Sequence, residues 1–216
     1  MGRAHKAKFI LRFLVIFLLW NLFVLYPNPY RLGVSIYRIF NPEINPSAIA
    51  HLLEDTPHDP KEIETYVLNI IPYQYDWQTY GVPFYFPKAE EVIAKGTGDC
   101  KSRFVVLASI FEAKGIPYRQ SFSLSHFWVD YEGKTENKIE QKSNALLVRN
   151  EDGTNKLQLP QEELKEVYEA LKEGFWDYMP LHRRVLLMAG LPMSIMIALF
   201  INHLKVKKKR KYYFKF

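Results

Sequence analysis

Residues 96–117, GTGDCKSRFVVLASIFEAKGIP, contain the only cysteine of the 216-residue chain and decide how its central region is expected to fold. Apolar side chains recur at three- and four-residue steps from Phe104 onward, which predicts a helix that ends near Gly115. Asp99 is a favourable N-cap residue. The pattern therefore places Cys100 in the first turn of an apolar helix.

The first turn of a helix favours the reactive, ionised form of a cysteine. The helix dipole and the unpaired backbone N–H groups stabilise a thiolate at Cys100, and the positive charge of Lys101 is adjacent. The same N–H groups can line an oxyanion hole. Asp99 opposes the thiolate by its negative charge unless capping holds its carboxylate away. The alternative is a buried structural cysteine.

The glycines and the Lys101-Ser102 pair also suggest a phosphate-binding loop, but the spacing excludes it. Such a loop needs Gly, four residues and then Gly-Lys-Ser/Thr, so that successive N–H groups surround the anion. Here Gly96 precedes Lys101 by five positions instead of six, Cys100 replaces the second glycine, and Asp99 would repel a phosphate.

The rest of the central region predicts an α+β fold, with helices first and an antiparallel sheet after them. Three helices are expected before Cys100, one of them opened by Asp59 as N-cap and Pro60 at the first helical position. Alternation through residues 118–133 predicts one long strand that carries His126. The remaining expected elements are a strand over 144–150, a hairpin at Asp152-Gly153, and an amphipathic helix over 160–174 with Leu164, Val167, Tyr168 and Leu171 facing inward.

His126 is the natural partner for the thiol. An imidazole can take a proton from a cysteine and return it to a leaving group, and a strand holds such a side chain rigidly. Taken alone, a histidine in an aromatic strand is more often a structural residue. The order of cysteine, apolar helix and strand histidine favours the catalytic interpretation.

With these residues in place, the sequence resembles the transglutaminase-like superfamily of papain-type thiol enzymes, from about Asp59 to Leu147. The resemblance rests on YDWQTYG at 75–81, on EVIAKGTGDCKSRFVVLASIFEAKGIP at 91–117, and on HFWVDY at 126–131, where the family has its His-x-Trp-Val strand. It implies a transglutaminase-like, papain-like fold.

The resemblance also implies roles for single residues. Cys100 would be the nucleophile and His126 the general base and acid, while Trp128 would only pack. The family usually has an aspartate on the strand after the histidine strand, and none occurs here. Asp130 lies about 13 Å along the same strand at about 3.3 Å per residue, which is too far.

Two residues remain as candidates for orienting the imidazole. If a turn near Lys134 joins two paired strands, positions 142–144 lie across from His126, which favours Asn144 and a Cys-His-Asn arrangement. Glu140 is the reserve candidate if the register is shifted. No cofactor or metal site is expected.

Both ends of the chain carry an apolar run flanked by basic residues. Residues 9–26 contain one charge, Arg12, and residues 185–201 contain none, so both predict transmembrane helices. A cleaved signal peptide and a soluble protein with apolar core helices are the alternatives. All 23 acidic residues lie between Glu43 and Asp177.

Positive charge predicts the topology. Basic residues are concentrated before the first span and after the second. By the positive-inside rule this predicts that both termini are cytoplasmic and that the central domain is on the extracytoplasmic side. The expected organisation is a basic cytoplasmic flank at 1–8, a first span at 9–26, a juxtamembrane connector at 27–45, a transglutaminase-like domain at 46–182, a second span at 185–201 and a basic cytoplasmic tail at 202–216.

The expected function is acyl transfer or hydrolysis on an amide or isopeptide bond, through a thioester on Cys100. A peptide or protein amide is the expected substrate and the membrane the expected partner, with no indication of an oligomeric state. The acidic central region argues against nucleic-acid binding. The alternative is a non-catalytic, membrane-tethered binding module that keeps the fold without the chemistry.

Overall fold

A computed structural model describes residues 3–135, 137–161 and 164–213. The chain forms two compact units. One comprises Met1–Tyr30 together with Met179–Phe216, and the other comprises Arg31–Tyr178. Helix α1 spans Arg3–Leu25 and helix α8 spans Leu181–Tyr213, and these two helices pack against each other.

The contact between α1 and α8 centres on one tryptophan. The Trp20 indole N–H donates to the Leu186 carbonyl at 2.9 Å, and the ring lies where a side chain at Gly190 would have to be. Lys6–Leu25 and Leu181–Lys205 each have a mean hydropathy of 2.1, and few of their side chains are buried. Both segments are therefore long and apolar enough to cross a membrane.

Helix α2, Tyr30–Phe40, occupies most of the segment that was expected to be a connector. Arg38 is buried, and its guanidinium donates to Glu43 at 2.9 Å and to the Phe86 carbonyl at 2.9 Å. These bonds tie α2 to the central unit. From residue 31 onward the expected connector is therefore part of the compact unit.

The helices of the central unit begin where their capping residues predict. Asn45, Asp59 and Asp99 each accept backbone N–H groups of the helix that follows, which supplies partners for donors that the helix itself cannot satisfy. The elements are a 3-10 helix at Pro46–Leu52, α3 at Pro60–Ile70, α4 at Asp76–Thr79, α5 at Ala89–Lys95 and α6 at Cys100–Lys114.

Helix α6 is the centre of the core. It packs against α3, α5, the 3-10 helix and the sheet, and its side chains are buried on nearly every face. Gly115 ends it with a left-handed φ of 65°, a conformation that glycine adopts without strain. The predicted start and end of this helix are confirmed.

Four short antiparallel strands form one sheet in the order β2-β1-β3-β4. They are β1 at Arg119–Phe122, β2 at Phe127–Asp130, β3 at Leu147–Arg149 and β4 at Asn155–Leu157. The α+β class is thereby confirmed. The single long strand predicted over 118–133 is wrong, because this segment is a hairpin.

A serine causes the hairpin. The Ser123 hydroxyl accepts the backbone N–H of Ser125 at 3.2 Å and that of His126 at 3.1 Å, and the Ser123 N–H donates to the His126 carbonyl at 2.9 Å. Such local bonds compete with an extended strand. His126 therefore lies at the end of a tight turn, directly before β2.

Helix α7, Leu164–Lys172, leads into a π-helical turn at Glu173–Asp177. Of the four residues expected to face inward, only Val167 is buried. Leu164, Tyr168 and Leu171 are 81%, 62% and 57% exposed. The amphipathic pattern was interpreted correctly as a helix, but its apolar side does not pack on the described core.

Candidate active site

Cys100 begins α6, as predicted, and its neighbours hold the start of that helix in place. Oδ1 of Asp99 accepts the backbone N–H groups of Lys101 at 3.0 Å and Ser102 at 3.3 Å. The Arg103 N–H donates to the Asp99 carbonyl at 3.0 Å. The thiol is consequently at the positive end of the helix dipole, in a half-buried position.

Gly98 lets the chain approach α6 closely. Its N–H donates to the Pro72 carbonyl at 3.2 Å, and its carbonyl accepts from the Gln74 N–H at 3.0 Å, so the segment before α6 is bound to the segment after α3. A Cβ atom at this position would overlap the side chain of Ser102, which is itself fully buried.

Replacing Gly98 by alanine is therefore expected to lower the free energy of unfolding by about 1–3 kcal/mol, the usual cost of overpacking. Thermal unfolding in detergent, followed by circular dichroism, measures it. Gly33→Ala is the matched control, because nothing lies within 4 Å of that position and alanine favours a helix. Equal midpoints for the two variants would contradict the close approach at Gly98.

Lys101 forms a buried cluster with two carboxylates beneath Cys100. Its ammonium contacts Oδ2 of Asp76 at 3.0 Å and also pairs with Asp99. Burial raises the pKa of Asp76 to about 7, although Lys101 opposes the shift. Burial works against the charge on Lys101, but Asp76, Asp99 and a Cys100 thiolate outweigh it and raise the lysine pKa. The negative charge of the Asp99 cap is thus balanced by the ammonium group of Lys101.

The structure brings His126 to Cys100. The imidazole and the Cys100 thiol line the same cavity, and Nε2 of the imidazole contacts Oε1 of Glu140 at 2.9 Å. The ring stacks on Trp128 with centroids 6.1 Å apart, and Trp128 is buried. The expectation that Trp128 packs is confirmed.

The surroundings of His126 favour its charged form. Burial alone lowers the pKa of His126, but the hydrogen bond to Glu140 and the nearby Cys100 outweigh burial and raise the pKa to about 10. Burial likewise raises the pKa of Glu140, whereas His126 and Lys134 more than offset it, so that the pKa of Glu140 falls below its ordinary value. At neutral pH the pair is an imidazolium and a carboxylate.

Glu140, the reserve candidate, occupies the place that we expected Asn144 to take. The Asn144 side-chain amide donates to the Lys138 carbonyl at 3.0 Å, within the loop that carries Glu140. The expected register assumed that β3 pairs with the histidine strand. Instead β3 pairs with β1, and β2 is the edge of the sheet, so a loop and not a strand position faces His126.

A buried lysine supports Glu140 from behind. Lys134 Nζ contacts Oε2 of Glu140 at 3.0 Å and Oε1 of Glu64 at 2.6 Å, with 3% of its side chain exposed. The Tyr131 hydroxyl donates to Oε2 of Glu64 at 2.6 Å. This support has no signal in the sequence, because Glu64 lies in α3 and no spacing connects it with the loop that carries Glu140.

Replacing Lys134 by methionine is expected to lower the free energy of unfolding by roughly 3 kcal/mol, because two carboxylates then lose their buried cation. Thermal unfolding measures the effect. The exposed Lys156 supplies the control Lys156→Met, which should change stability by less than about 0.5 kcal/mol. Adding Glu140→Gln to Lys134→Met should recover part of the loss, and an additive second loss would contradict the ion pair.

Cys100, His126 and Glu140 line one small cavity of about 80 Å³. Its walls are otherwise mainly apolar and aromatic, with the Arg103 guanidinium 5.2 Å from the centre of the Tyr73 ring. The Tyr73 ring is partly exposed at the surface. The other lining residues are Glu64, Val67, Leu68, Phe104, Leu107, Phe127, Trp128 and Val129. The cavity is therefore small and mainly apolar, with the thiol, the imidazole and the carboxylate as its reactive groups.

The comparisons with known proteins add no relative. No family model matches the chain, and no curated protein or solved structure matches it. Within the described residues, no group of three or more His, Cys, Asp or Glu side chains is arranged to hold a metal ion. The chemistry of the site must be inferred from its own side chains.

Proposed function

We propose that the chain is a membrane-anchored thiol enzyme that acts by acyl transfer on amide or isopeptide bonds. The observation that carries the proposal is the placement of Cys100, His126 and Glu140 around one cavity, in the order nucleophile, base and orienting carboxylate. The resemblance to the transglutaminase-like superfamily supports the same chemistry.

The reaction begins with the thiolate of Cys100, which attacks the carbonyl carbon of the substrate. The tetrahedral intermediate collapses when the C–N bond breaks, and the imidazolium of His126 gives its proton to the leaving amine. A thioester remains on Cys100. Water or a second amine then attacks the thioester, His126 takes the proton of the attacking group, and the thiolate leaves.

Glu140 keeps the imidazole in the productive orientation and balances its charge. Nε2–H donates to the carboxylate, which leaves Nδ1 for the sulfur and for the leaving amine. The N–H groups of Lys101 and Ser102 are used by the Asp99 cap, so they cannot serve the oxyanion as the sequence suggested. The Cys100 N–H is the first-turn donor that remains for that role.

The membrane part of the proposal rests on the two apolar helices and on the distribution of charge. Acidic residues are confined to the part between Glu43 and Asp177, whereas clusters of basic residues precede the first span and follow the second. By the positive-inside rule both termini are cytoplasmic and the Arg31–Tyr178 unit is extracytoplasmic. A peptide or protein amide on that side is the proposed substrate.

A generic activated ester tests the chemistry without knowledge of the substrate. Purified protein mixed with p-nitrophenyl acetate should release a burst of one nitrophenolate per chain, and intact-mass analysis after acid quench should find one acetyl group on Cys100. Cys100→Ser, the matched control, should show no burst. A wild type without burst or acetyl thioester would favour the non-catalytic binding module instead.

Protease treatment tests the location separately. Added to intact cells, a protease should cut the exposed loops of the Arg31–Tyr178 unit and leave the spans protected. A unit that is cut only after the cells are lysed would place it in the cytoplasm and reverse the proposed topology.

A further inference from the structure

Two helices of the central unit leave apolar sides exposed, and each is joined along the chain to a candidate membrane span by a short connection. The first, which we call the α2 face, consists of Ile36, Tyr37 and Phe40, all at least half exposed. The second, the α7 face, consists of Leu164, Tyr168 and Leu171. Each set recurs at helical spacing and forms one stripe.

Helix α2 buries two polar side chains and still leaves apolar ones exposed. The Ser35 hydroxyl accepts the Phe86 N–H and the Arg38 guanidinium donates to the Phe86 carbonyl, while Ile39 packs, partly buried, against the core. The α2 face lies outside these contacts. Exposed apolar stripes of this kind mark interaction surfaces more often than chance.

The covalent connections limit what can cover these faces. Residues 26–29 separate α1 from α2, so the start of α2 lies within about 18 Å of the end of the first span. Residues 178–180 separate the π-helical turn that follows α7 from the start of α8. Both faces are thus tethered closely to segments that are long and apolar enough to enter a bilayer.

The two ends of the central unit also meet at the same element. Arg31 donates to the Tyr80 carbonyl at 2.7 Å, at the end of α4. Trp77 in α4 donates to the Phe175 carbonyl at 2.8 Å, and the Tyr178 ring stacks 4.3 Å from that of Tyr75. The chain therefore enters and leaves this unit at neighbouring points.

We propose that the α2 face and the α7 face lie in the headgroup region of the membrane and hold the unit on the lipid surface. This inference rests on the membrane anchoring proposed above. The partly exposed Phe175, Trp176 and Tyr178 join the α7 face to the second span, where aromatic side chains are favoured at the interface. The site then takes its amide from a substrate held at the membrane surface.

The charges of α7 say what kind of lipid is needed. Its polar side carries both signs, with Lys172 close to Glu169 and to Asp177. Burial of apolar side chains, and not attraction to anionic headgroups, is then the cause of binding. Phosphatidylcholine vesicles should therefore be sufficient.

A fluorescent probe at each face tests the proposal. Full-length Cys100→Ser protein, which has no other cysteine, receives Tyr37→Cys or Tyr168→Cys and an NBD label, and is reconstituted in phosphatidylcholine vesicles. Lys156→Cys on the exposed strand β4 is the control. Labels at 37 and 168 should emit at shorter wavelength than the control, lose fluorescence to nitroxide lipids, and resist iodide.

Two results would overturn the proposal. Labels at 37 and 168 that are quenched by iodide like the control would place both faces in water. Labels that are shielded from iodide but unaffected by nitroxide lipids would show that protein, such as a second copy of the chain, covers them. Flotation of the same vesicles tests membrane anchoring independently, and acetylation of Cys100 in the wild type tests the chemistry.

Discussion

Replacing His126 by asparagine is expected to slow the alkylation of Cys100 by iodoacetamide at pH 7 at least about tenfold. His126 carries its proton up to a pH of about 10, so a positive charge at the cavity that Cys100 lines stabilises the negative charge on the attacking sulfur. The asparagine side chain is neutral and leaves that negative charge without a counterion.

The measurement is unusually clean, because Cys100 is the only cysteine and every alkylation event reports on it. His51→Asn is the matched control, since His51 is exposed and lies in the 3-10 helix away from the site. It should behave as the wild type. Equal alkylation rates for His126→Asn and the wild type would mean that the imidazole does not assist the thiol.

Replacing Glu140 by glutamine should slow acetylation of Cys100 by an anilide such as p-nitroacetanilide at least about 100-fold, because the departing amine needs the proton of His126 and this factor is the lower end of what general acid–base catalysis contributes. The amide keeps the shape but removes the charge that faces Nε2. Because Glu140 raises the pKa of His126, its loss lowers that pKa. The decline of activity at high pH, where His126 no longer has a proton to donate, should therefore begin at a lower pH.

Two other variants make this prediction specific. Glu132 lies between β2 and β3, as Glu140 does, but its carboxylate is exposed. Glu132→Gln should therefore leave acetylation unchanged. Asn144→Ala should mainly affect the loop through the lost bond to Lys138. If Asn144→Ala abolished acetylation while Glu140→Gln retained it, Asn144 would be the orienting residue and Glu140 would be structural.

Local signals in the sequence were sufficient for the nucleophile. The position of Cys100 follows from an N-cap, an apolar helix and a terminal glycine within twenty residues, and all three operate through bonds between near neighbours. The same holds for α3, which begins after Asp59. Helix ends are therefore predictable here because their causes are local.

The residue that orients His126 was harder to predict, because its position depends on which strands are neighbours. Alternating residues from Phe122 to Trp128 are equally compatible with one long strand and with two short strands joined by a tight turn. The side-chain hydroxyl of Ser123 decides between them. Once the hairpin inserts β1 between β2 and β3, a loop brings Glu140 to His126, and no periodic pattern encodes that contact.

The exposed faces of α2 and α7 illustrate a second reason why part of the structure could not be predicted from the sequence. Amphipathic spacing predicts a helix with an apolar side, but it does not say whether protein or lipid covers that side. The sequence interpretation assigned Leu164, Tyr168 and Leu171 to the core, and their exposure is what directs attention to the membrane surface.

An NMR titration of His126 tests the central claim most directly, because the claim is that Cys100, His126 and Glu140 form one charged unit. In detergent-solubilised protein with ¹³Cε1-labelled histidine, the His126 signal is assigned by its loss in His126→Asn. The account predicts that this ring stays protonated at pH 8 and titrates at about 10, with a lower value in Cys100→Ser. A His126 ring that titrates near 6.5, with no change in Cys100→Ser, would contradict it.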